Sequence, residues 1–117
     1  MSRRTERVAE QVRSELARIL HEDVTDRRLR FLTLLRVEVS PDLGSARLYW
    51  SDLRAEGDAA LAEVAGALSG AVPFLRRRLA AALELRRVPE LPFHHDPSLV
   101  EGSRTLSLLH ELEREPR

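Results

Sequence analysis

Large apolar residues between positions 5 and 21 follow one another at intervals of four, four, three and one. They are Val8, Val12, Leu16, Ile19 and Leu20. This spacing places them on one face of a helix, with charged residues on the other faces. The pattern therefore predicts an amphipathic helix over residues 5–21.

The next part of the chain alternates apolar and polar residues, the period of a strand with one buried face. The turn formers from Ser40 to Gly44 separate two such runs. We therefore expect a β-hairpin that leaves Arg36, Arg47 and Tyr49 toward solvent. The residues expected to face the core are Leu35, Val37, Val39, Ala46, Leu48 and Trp50.

Helical periodicity returns at residue 61, but two glycines, a serine and Pro73 fall between residues 66 and 73. Proline lacks the N–H that a helix needs and clashes with the carbonyl four residues earlier. It also disfavours helical angles at the preceding residue. The sequence thus predicts a helix broken or kinked between Gly70 and Val72. The apolar face of the second segment is Leu75, Leu79, Ala82 and Leu83.

The last third of the chain predicts a strand and a short helix. Pro89 and Pro92 confine residues 88–95 to an edge or irregular strand. The spacing of Leu99, Leu106, Leu109 and Leu112 suggests a short C-terminal helix, and residues 113–117 are expected to form a frayed tail. If the last strand is parallel to the second, the crossover should be right-handed. We expect a single two-layer α+β domain over residues 1–112, with helices covering one sheet face.

The amino-acid composition excludes several classes of protein. The 117 residues include no cysteine, which excludes disulfides, thiolate metal sites and cysteine nucleophiles. A chain of this length can bury a core without a metal. Since we find no apolar run of membrane-spanning length and no signal-peptide core at the N-terminus, we expect a cytosolic protein. We also expect a monomer that needs no cofactor.

Charge is balanced overall but unevenly distributed. All 19 basic residues are arginines, and 19 acidic residues bring the net charge to zero. Any nucleic-acid binding must therefore depend on a local patch. Residues 71–87 hold five arginines and one glutamate, a local charge of +4, whereas residues 52–63 carry −3. The segment from Ser69 to Arg78 is the best candidate for a binding surface, because its small residues let the backbone approach a partner closely.

The sequence offers little for catalysis. His94, His95 and Asp96 are of metal-ligating types, but adjacent strand residues point to opposite faces, so both imidazoles cannot easily bind one ion. A metal-assisted hydrolase is therefore a distant alternative. No nucleophile elbow, phosphate loop or dinucleotide fingerprint occurs. We predict a protein that is not an enzyme and has no small-molecule substrate.

Four motifs in chain order resemble the ribosome-binding factor A family. They are RxxRV from Arg4, VxVSxDLxxA from Val37, VPELxFxxDxS from Val88 and GxR from Gly102. The resemblance covers nearly the whole chain, with proline at position 73 where the family usually has glycine. It implies a type II KH-like fold in which helix, kink and helix replace the Gly-x-x-Gly loop. The kink position of the family falls on Ala71.

The resemblance also implies a role in late maturation of the small ribosomal subunit, through binding of its 16S rRNA. Together with the charge distribution, it indicates two sets of site residues. The predicted helix-kink residues are Ser69, Gly70 and Ala71. The predicted RNA-binding residues are Arg76, Arg77, Arg78, Arg86, Arg87, Arg4 and Arg7. The alternative is a protein-binding adaptor that uses the charged face of the kinked helix.

Overall fold

The computed structural model describes residues 3–97 as a small α+β domain, which confirms the predicted fold class. Helix α1 and a single 3-10 turn precede a hairpin, and helix α2 connects the hairpin to a third strand. The predicted C-terminal helix and the tail lie outside the described residues. The elements are α1 (Arg3–Glu22), the 3-10 turn (Arg27–Leu29), β1 (Leu32–Val39), β2 (Ala46–Asp52), α2 (Gly57–Leu83) and β3 (Phe93–His95).

The hairpin turn forms where the sequence predicts it. The Ser40 N–H donates to the carbonyl of Ser45 at 2.9 Å, and the Leu43 N–H donates to the carbonyl of Ser40 at 2.9 Å. Leu43 has a φ of 60°, a left-handed conformation that side chains other than glycine rarely adopt. The Asp42 carboxylate accepts a hydrogen bond from the Gly44 N–H at 2.9 Å, which helps to hold this turn.

Strand β1 contains a bulge that the sequence pattern did not predict. Leu34 lies opposite Trp50 and Arg36 lies opposite Tyr49, so Leu35 is an extra residue on β1. A bulge shifts the alternation by one position. Leu34 therefore packs against the core, whereas the expected core residue Leu35 is half-buried outside it. Val37 and Val39 are buried as predicted.

Strand β3 pairs with β2 in parallel, which places it at the sheet edge as predicted. The order is β1-β2-β3, and the register aligns Leu48 with Phe93 and Trp50 with His95. Before β3, the Ala46 N–H donates to the carbonyl of Glu90 and the Leu48 N–H to that of Pro92, both at 2.8 Å. The strand is short because prolines cannot donate to the ladder.

Helix α2 runs without interruption past Pro73, so the predicted break into two segments was wrong. A proline inside a helix costs about 3 kcal/mol, whereas each fully buried large apolar side chain contributes about 1.5–3 kcal/mol. Burial of Leu68, Leu75 and Leu79 outweighs that cost. Pro73 and Ser69 are both exposed, so water can reach the carbonyl that loses its donor. A bend in the continuous helix remains a prediction.

The core lies between the two helices and the inner face of the sheet. Trp50 is 2% exposed at its centre, and Ala46 and Leu48 are buried beside it, as predicted. Leu75 and Leu79 face this core, but Ala82 is exposed, contrary to the expectation for the second helical segment. The buried residues of the helices are Thr5, Val12, Leu16, Ile19, Val64, Ala67, Leu68, Leu75 and Leu79.

By length and composition alone, α2 could cross a membrane, with a mean hydropathy of 1.3 over 18 residues. This departs from the sequence-based expectation that no segment would qualify. The core helix of a globular domain meets the same criterion. In this fold 22% of that window is buried. The buried residues of α2 belong to the same core cluster as residues of α1 and the sheet.

Candidate nucleic-acid interface

The second half of α2 carries two arginines that extend away from the core. Leu75 and Leu79 are buried, which leaves Arg77 exposed on the opposite side of the helix. The Arg78 guanidinium lies 5.1 Å from the centre of the Phe74 ring, a cation–π contact. Within residues 3–97, neither arginine has a carboxylate partner.

Arg76 has different surroundings from its two neighbours. Its guanidinium donates to the carbonyl of Pro89 at 3.2 Å and to that of Val88 at 3.1 Å. Its Nη2 also lies 3.6 Å from a carboxylate oxygen of Glu90. The side chain thus fastens the segment before β3 to α2, a structural role that the sequence did not predict. Its part in RNA binding remains a prediction.

Arg86 and Arg87 follow the end of α2. The helix is capped by Glu84, whose φ of 51° is left-handed and whose N–H donates to the carbonyl of Ala80. Both arginines are exposed. The Gly44 N–H and the Ser40 hydroxyl lower the pKa of Asp42, and the charge of Arg87 lowers it further. The Glu90 N–H donates to the carbonyl of Gly44 at 2.9 Å, so the segment that follows Arg87 lies beside the hairpin turn.

Arg4 and Arg7 lie exposed in the first turns of α1. Arg7 and Leu83 line a shared cavity of about 520 Å³, so the start of α1 lies beside the end of α2. Arg86 is three residues beyond Leu83. The fold thus brings Arg7 to the same end of the domain as the arginines that follow α2.

Two of the three predicted kink residues, Gly70 and Ala71, border a groove whose opposite wall carries charges of both signs. Ser69 and Gly70 are exposed, whereas Ala71 is half-buried in a cavity of about 410 Å³. Asp23 and Asp26 line the other side. Hydrogen bonds from the side chain and the backbone N–H of Arg28 lower the pKa of Asp26, which keeps that carboxyl ionised. Arg28 lines the same wall and pairs with Asp26 at 2.8 Å, so these two charges offset each other.

The outer sheet face carries charges of both signs that offset one another. It is formed by Arg36, Glu38, Arg47, Tyr49 and Asp96. Arg36 pairs with Asp96 at 2.9 Å and with Glu38 at 3.5 Å, and its guanidinium lies 3.8 Å from the centre of the Tyr49 ring. Arg47 has no direct ion pair within the described residues, but it donates to the Tyr49 hydroxyl at 3.5 Å and is linked through it to Glu38. That hydroxyl in turn donates to Glu38 at 3.2 Å. The face has little positive charge left for a polyanion.

Ion pairing therefore divides the arginines into two groups. Arg13 pairs with Glu10, and Arg18 with Glu15, so these side chains of α1 are neutralised. We use the name unopposed arginines for the predicted site residues without a carboxylate within 4.0 Å in the described part of the chain. They are Arg4, Arg7, Arg77, Arg78, Arg86 and Arg87.

The two histidines of β3 contact different neighbours. The His94 ring lies 5.9 Å from the ring of Tyr49, and the His95 ring lies 4.9 Å from that of Trp50. Tyr49 and Trp50 are adjacent on β2 and point to opposite sheet faces. The imidazoles therefore diverge, as the strand pattern predicts.

Sequence reasoning missed one exposed cluster. Phe31 and Leu53 are the large hydrophobic residues that remain exposed among residues 3–97, at 42% and 53%. Arg30 and Arg54 both approach the Phe31 ring. The sequence feature that could have indicated this cluster is the Arg30-Phe31 pair directly before a strand. The alternating pattern alone did not require Phe31 to be exposed.

Comparisons with known proteins agree on one family. The family model for ribosome-binding factor A matches residues 4–109. A ribosome-binding factor A from Aromatoleum aromaticum is 39% identical over 112 residues, which cover 96% of this chain and 87% of that protein.

Solved structures give the same result. The crystal structure of ribosome-binding factor A from Thermus thermophilus aligns with a TM-score of 0.68 and 28% identity, covering 78% of this chain and 93% of that one. A homology model of the Thermus thermophilus protein, fitted into the cryo-EM map of a 30S–RbfA complex, aligns with a TM-score of 0.60 and 31% identity. It covers 76% of this chain and 91% of that one.

Proposed function

The chain belongs to the ribosome-binding factor A family, and from that premise we propose that it is a non-enzymatic assembly factor. It binds the free small ribosomal subunit through 16S rRNA and supports late maturation and processing of that subunit. It acts in the cytoplasm, as a monomer, without a cofactor. The proposal includes a type II KH-like fold, which the order of helix, two strands, helix and strand supports.

The similar Thermus thermophilus protein supports the choice of partner. That protein has been fitted into the map of a 30S–RbfA complex. The present chain covers 91% of it. We therefore propose the same partner here, the small subunit.

The unopposed arginines are the observation that carries the proposal of RNA contact. The chain has a net charge of zero, so it lacks a positive field that would attract RNA from every side. Arginines without carboxylate partners can instead bind phosphates at a defined place. Contacts to phosphates fix position and orientation without reading sequence. This agrees with recognition of folded rRNA by shape.

Co-sedimentation of the full chain with ribosomal particles tests the proposal. We expect the protein to pellet with purified free small subunits and to remain in the supernatant with large subunits and assembled ribosomes. Rising salt should release it, because phosphate contacts depend on counterion release. Failure to pellet with free small subunits, or equal pelleting with all three particles, would contradict the proposal.

Crosslinking of the complex followed by RNA sequencing separates RNA binding from the adaptor alternative. Crosslinks from α2 to 16S rRNA support the proposed function. Crosslinks confined to ribosomal proteins would instead identify an adaptor that uses the charged face of α2. The maturation role is tested by deletion of the gene, which should cause precursor 16S rRNA to accumulate.

A further inference from the structure

The open end of the hairpin carries an aromatic side chain that packing does not explain. The ladder pairs Leu32 with Asp52, so Phe31 and Leu53 are neighbours just beyond the last paired residues. Both remain exposed, although the other large apolar residues of this sheet are buried or half-buried. We use the name Phe31 platform for Arg30, Phe31, Leu53 and Arg54.

Both chain segments of the platform are held in place. Leu29 is buried in the core and fixes the chain directly before Arg30. On the other side, the buried Asp52 carboxylate accepts hydrogen bonds from the N–H of Arg54 at 2.8 Å and of Ala55 at 3.1 Å. The platform is therefore preorganised, which lowers the entropic cost of binding a ligand.

The chemistry of the platform combines a π surface with positive charge. The Arg54 guanidinium lies 4.4 Å from the centre of the Phe31 ring, and that of Arg30 lies 5.6 Å away. Neither has a carboxylate partner within the described residues, and Asp52 is occupied by backbone N–H groups. Nucleobases stack on aromatic rings and on guanidinium planes, and the attached phosphates are attracted to the arginines.

We propose that the Phe31 platform binds an unpaired nucleotide of RNA, with the base stacked on Phe31 and the flanking phosphates next to Arg30 and Arg54. The inference takes RNA as the partner from the proposed function. The charge of the platform favours this polyanion over an apolar protein segment, for which two arginines beside a single ring would be costly to desolvate.

The platform lies far from the arginines that follow α2. The segment that follows Arg87 is hydrogen-bonded to the hairpin turn through the Glu90 N–H and the Gly44 carbonyl, whereas Phe31 lies beyond the opposite end of the same hairpin. The seven residues of β2 span roughly 23 Å at about 3.3 Å per residue. The domain thus contacts RNA at two separated points, with phosphate contacts at one and base stacking at the other.

Substitutions of Phe31 separate stacking from general apolar contact. We would measure binding of the full chain to a fluorescein-labelled single-stranded RNA of ten nucleotides, to a duplex of the same sequence, and to purified small subunits. Phe31→Leu keeps apolar surface without a π face, Phe31→Tyr keeps the ring, and Phe31→Ala removes both. Arg54→Ala has a matched control in Arg47→Ala, since Arg47 belongs to the outer sheet face.

We expect Phe31→Ala and Phe31→Leu each to weaken binding to single-stranded RNA and to small subunits about 5- to 100-fold. Phe31→Tyr should stay within about twofold of the wild type. Arg54→Ala should weaken binding severalfold, while Arg47→Ala should not. The wild type should prefer the single strand to the duplex. Melting temperatures verify that each variant is folded.

Two results would overturn the stacking proposal. One is unchanged affinity of the folded Phe31→Ala variant for both ligands. The other is wild-type affinity of Phe31→Leu combined with weak binding of Phe31→Ala, which would indicate an apolar protein contact. Failure of the proposed function looks different, because then the wild type itself does not bind small subunits. Phe31-dependent binding to the short RNA would still support stacking in that case.

Discussion

The outer sheet face and the exposed side of α2 both present arginines to solvent, but only one of them presents net positive charge. Arg36 is flanked by Glu38 and Asp96, and its guanidinium lies on Tyr49. Arg77 has no carboxylate partner within the described chain. An exposed ion pair contributes only about 0–1 kcal/mol to stability, but it removes the field that a phosphate would experience. Pairing, rather than the number of arginines, distinguishes the two regions.

The largest effect on binding to small subunits should come from giving the arginines of α2 carboxylate partners like those of Arg36 on the sheet. Ala81 and Ala82 are exposed and lie four residues after Arg77 and Arg78, the spacing of a helical ion pair. We expect Ala81→Glu combined with Ala82→Glu to weaken binding to small subunits about 10- to 100-fold, because two charge-assisted contacts are lost. Titration of labelled protein with purified subunits measures this loss.

The matched control for this variant is Ala81→Gln with Ala82→Gln, which changes size similarly but adds no charge. It should bind within about twofold of the wild type. Equal loss in the Glu and Gln variants would mean that bulk on this side of α2, not charge, interferes with binding. That result would remove the distinction drawn between α2 and the sheet.

The second effect concerns Arg76, which differs from Arg77 in its role. Arg76→Ala removes two hydrogen bonds to the carbonyls of Val88 and Pro89. Since its side chain is 35% exposed, we expect a loss of about 1–2 kcal/mol in the free energy of unfolding. Arg77→Ala should stay within about 0.5 kcal/mol of the wild type. Urea unfolding compares the two, and equal stabilities would refute the fastening role of Arg76.

A third experiment releases the sheet arginine from its partners. Glu38→Gln with Asp96→Asn leaves Arg36 without an adjacent carboxylate among its described neighbours. We expect RNA affinity to rise about two- to fivefold, since a screened surface pair is worth about 0.2–1 kcal/mol. Filter binding with a generic structured RNA detects this gain. A loss of affinity would show that the neutral network itself contacts RNA.

The smallest effect should appear on acidification, at the hairpin turn near Arg87. The Gly44 N–H, the Ser40 hydroxyl and the charge of Arg87 lower the pKa of Asp42 in the folded state. The pKa of an aspartate carboxyl in the unfolded chain is about 3.9. When folding lowers this pKa, the carboxyl stabilises the fold at pH values above the unfolded pKa, and this contribution is lost as the pH falls through the folded-state pKa. The melting temperature of Asp42→Asn should therefore lie below that of the wild type at pH 7. The two should converge below about pH 4, and a difference that is constant with pH would contradict this.

Much of the fold could be predicted because it depends on local periodicity. The stripe from Val8 to Leu20 predicted α1, and the alternation across the turn predicted the hairpin. Two features could not be predicted this way. The bulge at Leu35 depends on register with β2, and the continuity of α2 through Pro73 depends on burial of residues on both sides of it. Both are decided by tertiary packing, which overrides local propensity.

The candidate site was only partly predictable for a related reason. Local charge density drew attention to Arg76, Arg77 and Arg78 together, but the partners of Arg76 come from a segment more than ten residues later. The network of Arg36 joins residues 60 positions apart in the chain. The sequence shows how many charged residues a segment contains. The proposed RNA binding depends instead on which of them remain without a carboxylate partner after folding.

The salt dependence of binding to small subunits tests the central claim most directly. We would compare the slope of log affinity against log salt concentration for the wild type, for Arg77→Ala with Arg78→Ala, and for Arg36→Ala with Arg47→Ala. Each lost phosphate contact lowers the magnitude of the slope by roughly 0.7–0.9. The α2 variant should therefore lose about 1.4–1.8, and the sheet variant close to zero. A larger loss of slope in the sheet variant than in the α2 variant would contradict the account.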